Sequence, residues 1–356
     1  MKKVLSVIIG LMFALQVSAQ PSNYYNSANG LTGNELKTAL HNIIKGHTSI
    51  SYAQLWNAFW STDNKGNGVV WDMYSDRPNG TPPYTYHLGT TDQCGSGGYN
   101  SEGDCYNREH SWPQSWFNSD GIARTDLHHI FPVDGWVNNK RGNYAFGEVG
   151  SASWTSQNGS KLGTCKTPGF SGTVFEPIDE YKGDFARAIM YMSVRYYGED
   201  GSWSSSDMTT KSEIKPWAID LLLRWNEQDP VSQKEIDRNN AIYNDYQHNR
   251  NPFVDHSEYA RMIWDPTWND VEERYEIVYL FPNPVEAGQT LHVSGNCHQF
   301  DAIAICDLCG RALLKATGNA VDDFAVTLPN GFAKGCYIVK LMRNGAVVKY
   351  EKLLVK

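Results

Sequence analysis

The run Cys105-Tyr106-Asn107-Arg108-Glu109-His110-Ser111-Trp112-Pro113 is followed by Asp126-Leu127-His128-His129-Ile130-Phe131-Pro132 and by Gly135-Trp136-Val137-Asn138-Asn139-Lys140-Arg141-Gly142-Asn143. Three of the chain's ten histidines fall here, beside carboxylates, amides and cations. Phosphodiester hydrolysis asks for such types. A neutral histidine can deprotonate water near pH 7. A hard cation such as Mg²⁺, held by one or two oxygen ligands and several waters, neutralises charge on the phosphate and leaving oxygen. Arginine or lysine grips phosphate oxygens. Neighbours on a regular strand point to opposite faces, so Glu109 and His110 address one phosphate only if the strand kinks or ends there. Trp112-Pro113 provides such an end. Asn138 and Asn139 differ by ~100° around a helix, so one of them at most is aimed at a metal.

Residue types alone leave other readings open. A Glu-His pair is common, His128-His129 is equally compatible with packing, and Asp126 with a supporting role behind a histidine or arginine. From Tyr106 to Gly150, Arg108, Arg124, Lys140 and Arg141 are offset by Glu109, Asp120, Asp126, Asp134 and Glu148, so no basic stripe marks a nucleic-acid surface.

Outward from this segment, 356 residues predict about two domains. A hydrophobic content of 41% excludes wholesale disorder, and the net charge of −8 argues against a nucleic-acid packaging protein without excluding a local phosphate site. No internal apolar run approaches the ~18 residues of a membrane span. Lys2-Lys3, the apolar run Val4–Val17 and Ser18-Ala19-Gln20 have the pattern of a secretory signal peptide. Export places the seven cysteines in an oxidising compartment, where Cys94 and Cys105, flanking a Gly/Ser/Asn-rich stretch, are expected to pair and leave Cys165 free. Cys306-Asp307-Leu308-Cys309 has no companion CxxC, which weakens a zinc or redox reading.

Helices are expected over 32–45, with a Thr32/Glu35 capping box and Leu36, Leu40 and Ile43 inward, and over 184–197, 213–225 and 231–246. Gly68–Trp71 is strand-like, and 150–174 reads as a Gly/Ser/Thr-rich loop. Beyond Glu272, short strands are expected at 291–293, 302–306, 324–328, 336–342 and 347–355, with Asn344-Gly345 as a hairpin turn.

The run Asn107–Pro113, with Asp126–His129 and Val137–Asn143, resembles the bacterial endonuclease I family of secreted or periplasmic nucleases, which carry a ββα-metal (His-Me finger) site. Phe175-Glu176-Pro177 with Lys182–Ala188 is similar to the family's helix behind the site, and Gln247–His256 to the segment that closes its domain. The resemblance implies His110 as general base and Glu109 and Asn138 as protein ligands of one Mg²⁺, with Mn²⁺ or Ca²⁺ as alternatives. It implies cutting of DNA or RNA with little sequence preference, leaving 5′-phosphate ends. Arg187 is the phosphate-contact candidate, followed by Arg141, Lys140 and His128 as substrate-binding candidates. Tyr279–Val285, Gly335–Lys340 and Lys352–Lys356 are similar to the C-terminal sorting domains of the type IX secretion system, which are small β-sandwiches.

The expected fold is therefore α+β: a signal peptide (1–20), a His-Me finger nuclease domain surrounded by helices (21–270), and an all-β sandwich (276–356). Expected partners are nucleic acid and the type IX machinery, with a monomer, no stable membrane insertion, and a final location outside the cell or on its surface. The alternatives are an extracellular ribonuclease of the same family and a secreted glycan-binding adhesin whose metal is only structural. A zinc protease is disfavoured, because no HExxH occurs.

Overall fold

The computed structural model describes residues 20–119, 121–265, 278–295, 301–308, 310–317, 323–343 and 346–356. Residues 1–19 of the expected signal peptide, the change of composition at Glu272, Cys297, Cys309 and the Asn344-Gly345 turn lie outside these residues. The chain is mixed α+β and divides into two units, Met1–Pro266 and Thr267–Lys356.

In the first unit, α1 (Gly33–Ile44) and α2 (Gln54–Thr62) precede a short hairpin of β1 (Asn64–Gly66) and β2 (Val69–Val70). The antiparallel pair β3 (Tyr106–His110) and β4 (Ile130–Asp134) leads straight into α3 (Gly135–Arg141). A sheet follows, made of β5 (Ala145–Phe146), β6 (Val149–Thr155), β7 (Lys161–Cys165) and β8 (Thr173–Glu176), in the order β5-β8-β7-β6. Then come α4 (Lys182–Arg195), the pair β9 (Thr209–Thr210) and β10 (Glu213–Ile214), α5 (Pro216–Gln228) and α6 (Gln233–Ala241). A π-helical turn over Ile242–Tyr246 and the short helices α7 (Pro252–Asp255) and α8 (Tyr259–Trp264) complete the unit.

Helix α4 is the axis of this unit, and every one of its residues is buried. Burial on all sides demands partners for its polar groups, and they come from far along the chain: Asp184 takes Lys234, and Arg187 takes Glu235. In α1, Leu36, Leu40 and Ile44 are buried. Ile44, not Ile43, completes the inward stripe, and Thr32 makes no side-chain cap. A real capping box starts α6, where Ser232 and Glu235 satisfy each other's backbone donors. Glu213 and Ile214 belong to β10, so α5 begins only at Pro216, whose missing N–H costs nothing at a first helical position.

The expected loop at 150–174 is largely sheet. Its side chains are mostly exposed, which hides the alternation that marks a half-buried strand. Gly163 on β7 shows the close approach involved, because a Cβ there would collide with the carbonyl of Ser151 on β6.

The described elements of the second unit are all strands. One sheet has the order β11 (Val278–Phe281), β12 (Thr290–Gly295), β15 (Asp323–Thr327). The other pairs β14 (Ala312–Thr317), β13 (Ala302–Cys306), β16 (Gly335–Arg343) and β17 (Ala346–Val355). Leu291 and Val293 from the first sheet meet Ile303, Ile305, Val339, Leu341 and Leu353 from the second in one core. Strand β14 was not anticipated from the sequence, because Ala312–Thr317 alternates only weakly and faces mostly outward.

Candidate active site

The chemistry-bearing segment folds as strand, strand, helix. Glu109 pairs with Phe131 and His110 with Ile130, so both end β3, and β4 turns without a loop into α3. Asp134 makes that junction. Its Oδ1 accepts the N–H of Val137 at 2.7 Å as the cap of α3, and its Oδ2 accepts Tyr86 Oη at 2.6 Å and the Gly103 N–H at 2.9 Å. The Cys94–Cys105 disulfide lies just before β3, and Cys165 is unpaired. Gly135 starts α3 directly against this bridge, where a Cβ would stand 2.6 Å from Cys94 Sγ.

Glu109 and His110 leave β3 into different surroundings. Glu109 is buried and has two partners, both on Oε1: Tyr74 Oη donates at 2.9 Å, and Arg141 Nη1 lies at 3.2 Å. Burial pushes its carboxyl up to about 7 against the opposing pull of Arg141 and Tyr74. Oε2 therefore remains to meet a cation, which would replace the missing solvation. Asn138 is half-buried on α3, with its amide 3.4 Å from the carbonyl of Arg108; Asn139 points to solvent. One carboxylate and one amide suit a hard cation that keeps most of its waters. Among the described residues no cluster of three or more His, Cys, Asp or Glu forms a denser metal cage.

His110 packs beside the rings of His129, 5.4 Å away, and Phe117, 6.2 Å away, which also touch each other. Its Nε2 is 3.0 Å from the carbonyl of Arg124 and must donate to it. That bond selects the tautomer and leaves Nδ1 with its lone pair, facing the Gln114 amide at 3.5 Å. Burial, reinforced by His129, pulls the imidazole down to about 3, so it is neutral at neutral pH. In this arrangement Nδ1 carries no proton of its own and can accept one.

Three sequence candidates, Arg187, Arg141 and His128, have other duties. Arg187 is fully buried: Nε and Nη2 bind the two carboxylate oxygens of Glu235 at 2.5 and 2.9 Å, and Nη1 binds the Asp229 carbonyl at 2.9 Å and Asn226. Four of its five N–H donors are engaged in this way, and a side chain with no exposure does not reach a phosphate in solvent. Arg141 is buried as well, and its guanidinium clamps the end of β3 by donating to the carbonyls of His110 and Ser111 while facing Glu109. His128 is buried against Tyr191 with Nε2 on the Asn249 carbonyl. It shares with Arg187, Glu235 and Arg238 the lining of a cavity of about 20 Å³, room for roughly one water. Lys140 lies over the ring of Trp136, 4.7 Å from its centroid. Asp126 accepts from Tyr191, Tyr196 and Gln247, and Asp255 binds Arg250, so both hold the fold together.

Sequence reasoning missed Arg124, Tyr74 and Gln114. Arg124 is exposed beside His110, its guanidinium 4.3 Å from the Tyr52 ring and its Nε 3.2 Å from Gln114 Oε1. Its only signal is its place just before Asp126-Leu127-His128-His129. Tyr74 comes from a segment 35 positions before Glu109, with no local motif to mark it.

The family model described as Endonuclease I matches residues 32–258. An extracellular ribonuclease of Bacillus amyloliquefaciens is 42% identical over 258 residues, covering 69% of this chain and 80% of that protein. An extracellular ribonuclease of Bacillus subtilis (strain 168) is 39% identical over 271 residues, 72% of this chain and 84% of the relative. Endonuclease-1 of Buchnera aphidicola subsp. Baizongia pistaciae (strain Bp) is 30% identical over 131 residues, 36% and 46% of the two chains.

Proposed function

The chain belongs to the endonuclease I family and is a nuclease, and from that premise we propose that it acts outside the cell as a His-Me finger, metal-dependent endonuclease on DNA and RNA, with His110 as general base. The observation that carries the assignment of the base is the hydrogen bond from His110 Nε2 to the Arg124 carbonyl, which leaves Nδ1 as the acceptor for a water proton. A divalent cation, Mg²⁺ first, would be held by Glu109 and Asn138 and would supply charge neutralisation at the phosphate and leaving oxygen. His110 takes the proton of the attacking water, and Arg141 holds the strand end on which Glu109 and His110 stand. Arg124 replaces Arg187 as the phosphate grip, because it is the exposed arginine beside His110. Departure of the 3′ oxygen leaves a 5′-phosphate.

The deciding experiment incubates purified protein with supercoiled plasmid and, separately, with structured RNA, in Mg²⁺, in EDTA, and as His110→Ala in Mg²⁺. The expected result is cutting in Mg²⁺ that EDTA and the substitution abolish. No cutting by folded wild type in Mg²⁺, Mn²⁺ or Ca²⁺ overturns the metal mechanism. The names of the two Bacillus relatives favour a second reading, in which RNA is the preferred substrate, and the RNA arm decides it. Family membership displaces the adhesin alternative. For the second unit we keep the type IX sorting role, supported by its two-sheet core. It predicts that a chain ending at 266 stays in the periplasm while the full chain reaches the medium.

A further inference from the structure

A second group of side chains adjoins His110 and is used by none of the steps above. Tyr52 lies in the turn before α2, and Trp56 and Trp60 follow at four-residue spacing, so the two tryptophans share a helix face. The Tyr52 ring is nearly parallel to His110, at 21° and 6.2 Å. The Arg108 guanidinium lies 3.7 Å from the Tyr52 centroid and 4.2 Å from that of Trp56, and its Nη1 donates to the Tyr52 carbonyl at 2.9 Å. Trp60 is 49% exposed.

Apart from Arg77, the arginines described elsewhere in this unit are paired with acids. Arg141, Arg187, Arg238, Arg250 and Arg261 each hold a carboxylate. Among the described residues, none faces Arg108 or Arg124. Two arginines without acidic partners, backed by aromatic rings and next to the base of an otherwise acidic protein, form a local positive spot with stacking surfaces leading away from it. Guanidinium planes and indole rings stack on nucleobases only when those bases are unpaired.

We propose that Tyr52, Arg108, Trp56 and Trp60 form a subsite for unpaired nucleotides of the substrate strand. Arg108, backed by the Tyr52 and Trp56 rings, takes a phosphate next to the one cleaved, and the exposed Trp60 of α2 stacks a base that follows. The subsite rests on the nuclease reading and gives it a direction: single strands and loops are preferred to duplex.

The test is steady-state kinetics of the full chain on a short single-stranded oligonucleotide, the matching duplex, and bis(p-nitrophenyl) phosphate. Trp60→Ala is expected to raise KM on the single strand about fivefold or more with kcat little changed, and to move the duplex KM much less. Arg108→Met is expected to flatten the salt dependence of KM, with Arg108→Lys restoring part of it. Thermal melts check that the variants fold. Equal KM changes on single strand and duplex, or no change in either variant, overturn the subsite while leaving the nuclease intact. A wild type that cuts none of the three substrates overturns both.

Discussion

Replacing Arg187 separates a structural role from a catalytic one. Its guanidinium meets both oxygens of Glu235, the Asp229 carbonyl and Asn226, and none of it reaches solvent. Glu235 also caps α6 through the Ser232 N–H. Arg187→Ala would strand a buried carboxyl that burial and Asp184 already push upward. Breaking a buried pair from one side costs about 3–5 kcal/mol, most of it the unpaired partner's desolvation. For a unit of this size that lowers Tm by on the order of 10 °C. Arg187→Met with Glu235→Gln removes both charges and should recover much of the loss, since well-packed neutral replacements are often tolerated. The assay is calorimetric melting in parallel with plasmid cutting well below the lowered Tm. The expected pattern is a large fall in Tm, partial recovery in the double variant, and kcat within about threefold of wild type, a barrier change under ~1 kcal/mol. An unchanged Tm with kcat lost by about a hundredfold or more would refute the buried-pair argument and return Arg187 to the phosphate.

Tyr74→Phe should raise the Mg²⁺ concentration needed for half-maximal cutting by roughly tenfold, because Glu109 loses a donor that orients it; an unchanged metal titration would contradict this. Burial draws His128 and His129 down to about 4 from an ordinary 6.5, with Asp126 opposing. The unfolded chain therefore binds more protons as pH falls below 6.5, so stability is full above that value and declines towards pH 4. Urea titrations across that range should show it, and a flat profile would contradict the neutral burial of both rings. Cys94→Ser with Cys105→Ser opens a short loop and should cost about 3 kcal/mol by the chain-entropy relation, read as a lower urea midpoint.

Much of the fold was legible where one face of an element is apolar. Helix α1 shows this through Leu36 and Leu40, and α4 and α5 through comparable spacings. The strands at 302–306 and 336–342 announced themselves by runs of apolar residues. The sheet at 149–176 did not, because its side chains face water and its pairing rests on backbone groups that any sequence supplies. The same limit applies to the site. Glu109, His110 and Asn138 sit within one short segment whose order of residue types is informative. The roles of Arg141 and Arg187 depend on what surrounds them, and the partners of Arg187 lie 39 to 48 positions away. An arginine reads alike in sequence whether it meets a substrate or a buried glutamate. Arg124 and Tyr52 show the reverse: residues without a motif are carried to His110 by the chain's return.

Helix α3 is only seven residues long, yet it carries Asn138 at its middle and Arg141 at its last position. Asn138 approaches the carbonyl of Arg108, while Arg141 holds those of His110 and Ser111. The helix therefore grips the strand at two points, on either side of Glu109. A shift of α3 cannot move one candidate ligand without dragging the other and the base along. The site is thereby braced as one piece when the chain folds, so tuning this enzyme by mutation should succeed around its rim and fail along this helix.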